Sequence, residues 1–218
     1  RSMVSPMAPE ISVAATPVLR GYLHLAGAIV APFALLLLLI IAYTPRGVVG
    51  GAIFGAGLIV LYSTSATYHV PPWGPHMRRL MSRLDRSVIF IFIAGTYAPF
   101  SLKLMSNAWG LPILSVVGSL ALGGFIVTLA APMPPRWIRV ALYLMLGWVG
   151  VVAIPELIRT LPGEALGLLV LSGVLFSVGG AMYATRRPDP FPRVFGYHEV
   201  FHTLQVAATA VMYTVVAI

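Results

Sequence analysis

Three histidines, one aspartate and one serine carry the chemistry this sequence offers. His198 and His202 stand four residues apart in Tyr197-His198-Glu199-Val200-Phe201-His202, a spacing that puts both imidazoles on one helix face, one turn apart. Ser65 and His69 stand in the same relation in Ser65-Ala66-Thr67-Tyr68-His69, and Asp85 lies in Ser82-Arg83-Leu84-Asp85-Arg86-Ser87. A single imidazole in an apolar segment is more often a hydrogen-bonded packing group than a ligand, and Asp85 taken alone reads as an interfacial partner of Arg83 and Arg86. Taken together they read differently. Three imidazoles plus a water make the open tetrahedral arrangement of catalytic zinc, whereas closed structural sites take four protein ligands, often thiolates. The chain has no cysteine, which excludes thiolate sites and disulfides. Zinc lowers the pKa of its water towards about 7. Asp85 would orient or deprotonate that water, and the Ser65 hydroxyl would hydrogen-bond the aspartate, the water or a substrate oxygen.

Such a cluster needs elements that bring distant segments together. Of the 218 residues, 59% are hydrophobic and 9% charged, against about a quarter charged in soluble domains. A membrane protein follows, with room for one membrane domain. A spanning helix needs roughly 20 mostly apolar residues. Seven stretches qualify: about Gly21–Tyr43, Gly47–His69, Arg86–Met105, Gly110–Ala131, Arg139–Ile158, Ala165–Thr185 and His198–Ala217. Proline and glycine punctuate the gaps, at Pro45-Arg46-Gly47, Pro71 to Pro75, Pro132 to Pro135, Pro162-Gly163 and Pro188 to Pro192. The first apolar run is too long for a cleavable signal peptide and continues as a full span. The expected fold is therefore an all-α seven-helix bundle (residues 21–218) behind a cytoplasmic segment of residues 1–20.

The net charge is +8. Because the basic residues fall in short gaps between apolar runs, topology and anionic headgroups explain them, and nucleic-acid binding is not expected. With seven spans, Arg1, Arg20, Arg78, Arg79, Arg83, Arg86, Arg136, Arg139, Arg186, Arg187 and Arg193 share one side, while Arg46, Lys103 and Arg159 take the other. The positive-inside rule then puts the N-terminus in the cytoplasm and the C-terminus outside. His69 ends a span running inward, and Asp85, His198 and His202 begin spans running outward. All four arrive at the cytoplasmic end, an agreement that the arginine count did not presuppose.

Other polar groups are weaker candidates. His24 lies near the same end and would support the cluster, while His76 reads as a solvated residue of the proline-rich loop. Glu199, about 100° round the helix from His198, is expected to make an interfacial or headgroup contact. Tyr68, Tyr97 and Tyr197 suit either a cavity wall or the interfacial belt, where Trp73, Trp109 and Trp137 also fall. The spacings Gly47/Gly51/Gly55 and Gly163/Gly167 fit close helix packing. They fix no oligomeric state.

Several of these residues also form a pattern. Ser65-x-x-x-His69, Leu84-Asp85 sixteen residues after that histidine, Gly95-Thr96-Tyr97-Ala98-Pro99-Phe100 and His198-x-x-x-His202 resemble the hemolysin III proteins, bacterial members of the progestin and adipoQ receptor (PAQR) family. Arg20-Gly21-Tyr22-Leu23-His24 is similar to the bacterial members as well, and the likeness runs from about residue 18 to the end. The resemblance implies a multi-pass protein of the bacterial plasma membrane. It implies zinc held by His69, His198 and His202 near the cytoplasmic leaflet, with Asp85 and Ser65 engaging its water. Alkaline ceramidases belong to the wider superfamily, so a lipid amide or ester is the implied substrate class. The sequence shows no extended N-terminal domain of the kind eukaryotic receptors carry, which weighs against ligand-receptor behaviour. Two rivals remain. One is a membrane-state sensor with structural zinc, and the other is a cytolytic protein; no polar stripe runs the length of any span to favour a pore.

Overall fold

The computed structural model describes residues 17–218; Arg1 and most of the 1–20 segment lie outside the described residues. The chain runs α1 (Tyr22–Ile41), α2 (Pro45–His69), α3 (Pro75–Pro99), a π-helical turn (Phe100–Leu104), α4 (Asn107–Ala130), α5 (Arg136–Gly147), a 3₁₀ stretch (Trp148–Ala153), α6 (Ile154–Thr160), α7 (Gly163–Thr185) and α8 (Tyr197–Ala217). Among the described residues, seven helical segments are long and apolar enough to cross a membrane: α1, α2, α3 with its π turn, α4, α5 through α6, α7 and α8. Beyond an isolated bridge between Phe191 and Phe195, the described residues hold no strand. In hydrocarbon a helix satisfies its backbone N–H and C=O groups within its own segment and leaves no unpaired edge to the lipid.

Polarity is distributed as a lipid solvent demands. Phe33, Ile40 and Met145 point outward and are about 70% exposed, while Phe54, Val117 and Ala208 are fully enclosed. Helix α1 packs on α2, α2 on α3 and α3 on α4; α8 lies against α7 and α1, and α5 bridges α3 and α7. Close approach of α1 and α2 depends on missing side chains. A Cβ on Gly55 would sit 2.6 Å from Leu35 Cδ1 and 3.0 Å from its Cα. The expected glycine stripe is therefore used at Gly55, whereas Gly163 and Gly167 have nothing within 4 Å and pack against no helix.

Two spans depart from the sequence reading. Helix α3 begins at Pro75 rather than near Arg86, so Arg78, Arg79 and Arg83 ride on its polar first turns, and His76 is an exposed helical residue rather than a loop residue. A hydropathy window sees the apolar part of a helix, not its whole length. The fifth span is broken between α5 and α6. Pro155 has no N–H for the usual bond four residues back and its ring crowds that carbonyl. The Tyr97 hydroxyl repairs part of the damage. It accepts from Gly150 N–H at 2.9 Å and faces the carbonyls of Gly147 and Leu146 at 2.7 and 3.0 Å.

Candidate metal centre

Helices α2 and α8 bring the three histidines together. One ring nitrogen from each of His69, His198 and His202 lies within 4.8 Å of the others, and the Nε2 atoms of His69 and His198 are 3.2 Å apart. His69 is the last residue of α2, while His198 and His202 occupy the first two turns of α8. His202 is buried and the other two are half-buried. The donor set suits a borderline-soft cation such as zinc, which imidazole nitrogens bind at about 2.0–2.1 Å with ligand atoms spread around it.

Behind the cluster lies a cavity of about 240 Å³. A single water needs roughly 10–15 Å³, so something much larger fits. Asp85, Ser65, His198 and His202 all line it. From there its wall follows α3 through Ile89, Phe92 and Ile93 and continues along the π turn from Phe100 to Met105, roughly 20 Å of it along α3 from Asp85 at 1.5 Å per residue. The five residues singled out by spacing thus gather at one end of the bundle: His69, His198 and His202 as a trio, Asp85 and Ser65 in the cavity wall beside them. Of the three tyrosines, Tyr97 lines the cavity. Tyr68 instead rests on His69, ring centroids 4.3 Å apart, and Tyr197 lies near the Arg136 guanidinium at 5.5 Å.

Glu199 corrects the sequence reading. It makes no interfacial contact: it is 1% exposed, and its carboxylate pairs with the Arg20 guanidinium while accepting from Gly196 N–H at 2.8 Å. That second bond caps α8, whose Tyr197 N–H is taken by Asp189 at 2.8 Å. The segment before α1 is bound to the same place, since Val18 and Leu19 N–H donate to the carbonyls of Arg193 and Val194 at 3.1 Å each. Gly21 completes the clamp. Its φ of +87° is in the left-handed region that glycine adopts freely, and a Cβ there would lie 2.6 Å from His69 Cβ. One turn of chain therefore grips the start of α8 through Arg20 and presses on His69 through Gly21. The signal for Glu199 was available: an acid three residues after an N-cap position is the reciprocal half of a capping box.

A seven-helix membrane bundle with a trio of imidazoles at one end defines a class, and comparison with known proteins gives it a family. Residues 13–213 match the family model described as Haemolysin-III related. The "Hemolysin-3" of Bacillus cereus is 32% identical over 195 residues, covering 87% of this chain and 85% of that one. The "Hemolysin-3 homolog" of Bacillus subtilis (strain 168) is 31% identical over 166 residues, 76% of this chain and 75% of its own. An "Adiponectin receptor protein" of Drosophila melanogaster is 28% identical over 186 residues, covering 78% of this chain and 42% of that protein. The chain belongs to the hemolysin III family, within the wider PAQR family.

Proposed function

We propose that this protein is a zinc-dependent intramembrane hydrolase of lipid amide or ester bonds. The observation that carries the reading is the joining of two features: three imidazoles beside a carboxylate, and an apolar cavity leading away from them along the bundle. His69, His198 and His202 would hold the ion. A zinc held there would supply a water with a pKa near 7, and so a nucleophile at neutral pH. Asp85 accepts the proton of the attacking water and returns it to the leaving nitrogen or oxygen as the acyl bond breaks. The Ser65 hydroxyl, one helical turn before His69, holds Asp85 or the substrate oxygen in place. Ile89, Phe92, Ile93 and Phe176 enclose the chain of an acyl group, and the same apolar wall argues against an ion path and so against a pore. Membrane lipids are the partners this implies, with no nucleic acid.

The protein would sit in the bacterial plasma membrane with its N-terminus inside. Reporters test this: one fused after Ile218 should behave as extracytoplasmic, and one in the Pro188 to Pro192 loop as cytoplasmic. The same side for both would remove the seventh span from the bilayer.

The chemistry is tested by separating metal from turnover. General-base assistance is typically worth about 10²–10⁴ in rate, so Asp85→Asn should keep its zinc and lose hydrolysis by that order, with a milder loss in Ser65→Ala. Wild-type protein carrying full zinc but inert on ceramides, acylated amines and phospholipids would contradict the hydrolase reading and leave the metal a structural or sensory role.

A further inference from the structure

His24 is unexplained by the site as described. It is 2% exposed, and neither ring nitrogen has a hydrogen-bond partner among the described residues, although buried polar side-chain atoms are normally paired. Packing accounts for its shape but not its nitrogens. The ring stacks on His202 with centroids 3.8 Å apart and planes 10° from parallel, and meets Tyr62 edge-on at 5.1 Å. A phenylalanine would make both contacts without burying two unpaired nitrogens.

Nor does the geometry make it a fourth ligand. A metal bound by an imidazole nitrogen lies in the plane of the ring, and two nearly parallel rings stacked this closely cannot both contain one ion in their planes. What the stack does is hold the His24 ring against His202, in the wall of the cavity that Ser65, Asp85 and Gln205 also line. An ionised Asp85 only accepts hydrogen bonds. Donors in that wall include Ser65, Arg86, Tyr143, Gln205 and His24; Arg86 and Tyr143 already donate to the carbonyls of Ser82 and Arg86, whereas both His24 nitrogens are unpartnered.

We propose that His24, as a neutral imidazole, donates a hydrogen bond to the carbonyl oxygen of an acyl group held at the open position of the three-histidine site. This rests on the metal reading above and adds a catalytic residue to it. A donor fixed by stacking before substrate arrives stabilises the negative charge that grows on that oxygen during acyl transfer.

The test needs no lipid and no turnover. Cobalt(II) replaces zinc to make the site visible, and acetohydroxamic acid, a small water-soluble molecule with an acyl oxygen, is titrated while the visible spectrum is followed. His24→Phe should keep stoichiometric cobalt and an unchanged spectrum without acetohydroxamate, yet bind it about tenfold or more weakly, the worth of one hydrogen bond to a charged oxygen. His24→Gln, which restores a donor, should recover part of the loss. Equal affinity in wild type and His24→Phe overturns the proposal, as does a wild-type spectrum that acetohydroxamate does not move. Cobalt loss in His24→Phe as deep as in His202→Ala overturns it too, by making His24 a ligand. Failure of the metal reading itself shows separately, as wild-type protein that takes up no stoichiometric cobalt.

Discussion

The two ends of the bundle use charged residues in opposite ways. At the far end, Arg46 donates to the Asn107 side chain at 2.9 Å, Lys103 lies over the Tyr43 ring at 5.3 Å, and Glu156 accepts from Ser106 N–H at 3.0 Å. The Arg46 and Glu156 bonds are exposed. At the histidine end, Glu199 is enclosed and Arg20 reaches it through a mostly covered path, while His24 and His202 are buried against each other. One end is a solvated rim. The other is a built polar core at the margin of a hydrocarbon slab, where unpaired charge is costly. Residue type does not distinguish them; burial and partnering do.

The largest effect expected from this contrast is at Glu199. Removing one partner of a fully buried ion pair costs about 3–5 kcal/mol; the Arg20 side chain is 20% exposed, so water screens the charge left behind and the cost falls below that range. Glu199→Ala should still lower the Tm and lower metal occupancy with it, whereas Glu156→Ala at the opposite rim should leave both near wild type. Comparable Tm losses in the two variants would erase the distinction between the ends.

Glycines sharpen the contrast at intermediate size. An alanine at Gly21 must adopt φ near +87° and push its Cβ into His69, and backbone strain of this kind costs on the order of 1–3 kcal/mol. Gly21→Ala should destabilise the fold and weaken zinc binding, because the displaced residue is a proposed ligand. At the far end Gly163 opens α7 with nothing within 4 Å, and alanine is the better helix former by up to about 1 kcal/mol. Gly163→Ala should be neutral or stabilising, with zinc unchanged. Thermal melts with parallel metal analysis separate the two.

Much of this was legible in the sequence, and the reasons are specific. Seven apolar runs of bilayer length announce seven spans, because the lipid leaves helices few alternatives. The fourfold spacing of His198 and His202, and the shared end reached by His69 and Asp85, follow from helical periodicity and alternating direction. Boundaries set by hydropathy missed what depends on polar residues or on contacts: the ten residues of α3 before Asp85, and the break at Pro155 that Tyr97 repairs from another helix. The pair of Arg20 with Glu199 joins residues 179 positions apart, and no local pattern specifies a partner at that distance. His24 carries no motif either. It becomes legible only when its nitrogens are found buried with nothing to bond.

If the three imidazoles hold one zinc, metal content shows it most directly. Metal that binds only the folded chain also stabilises it, so occupancy and melting temperature should move together. Purified wild-type protein should carry about one zinc per chain, and a chelator that removes it should lower the Tm. The His198→Ala/His202→Ala double variant should retain almost none and melt where the stripped wild type melts. Full zinc occupancy in that double variant would contradict the account.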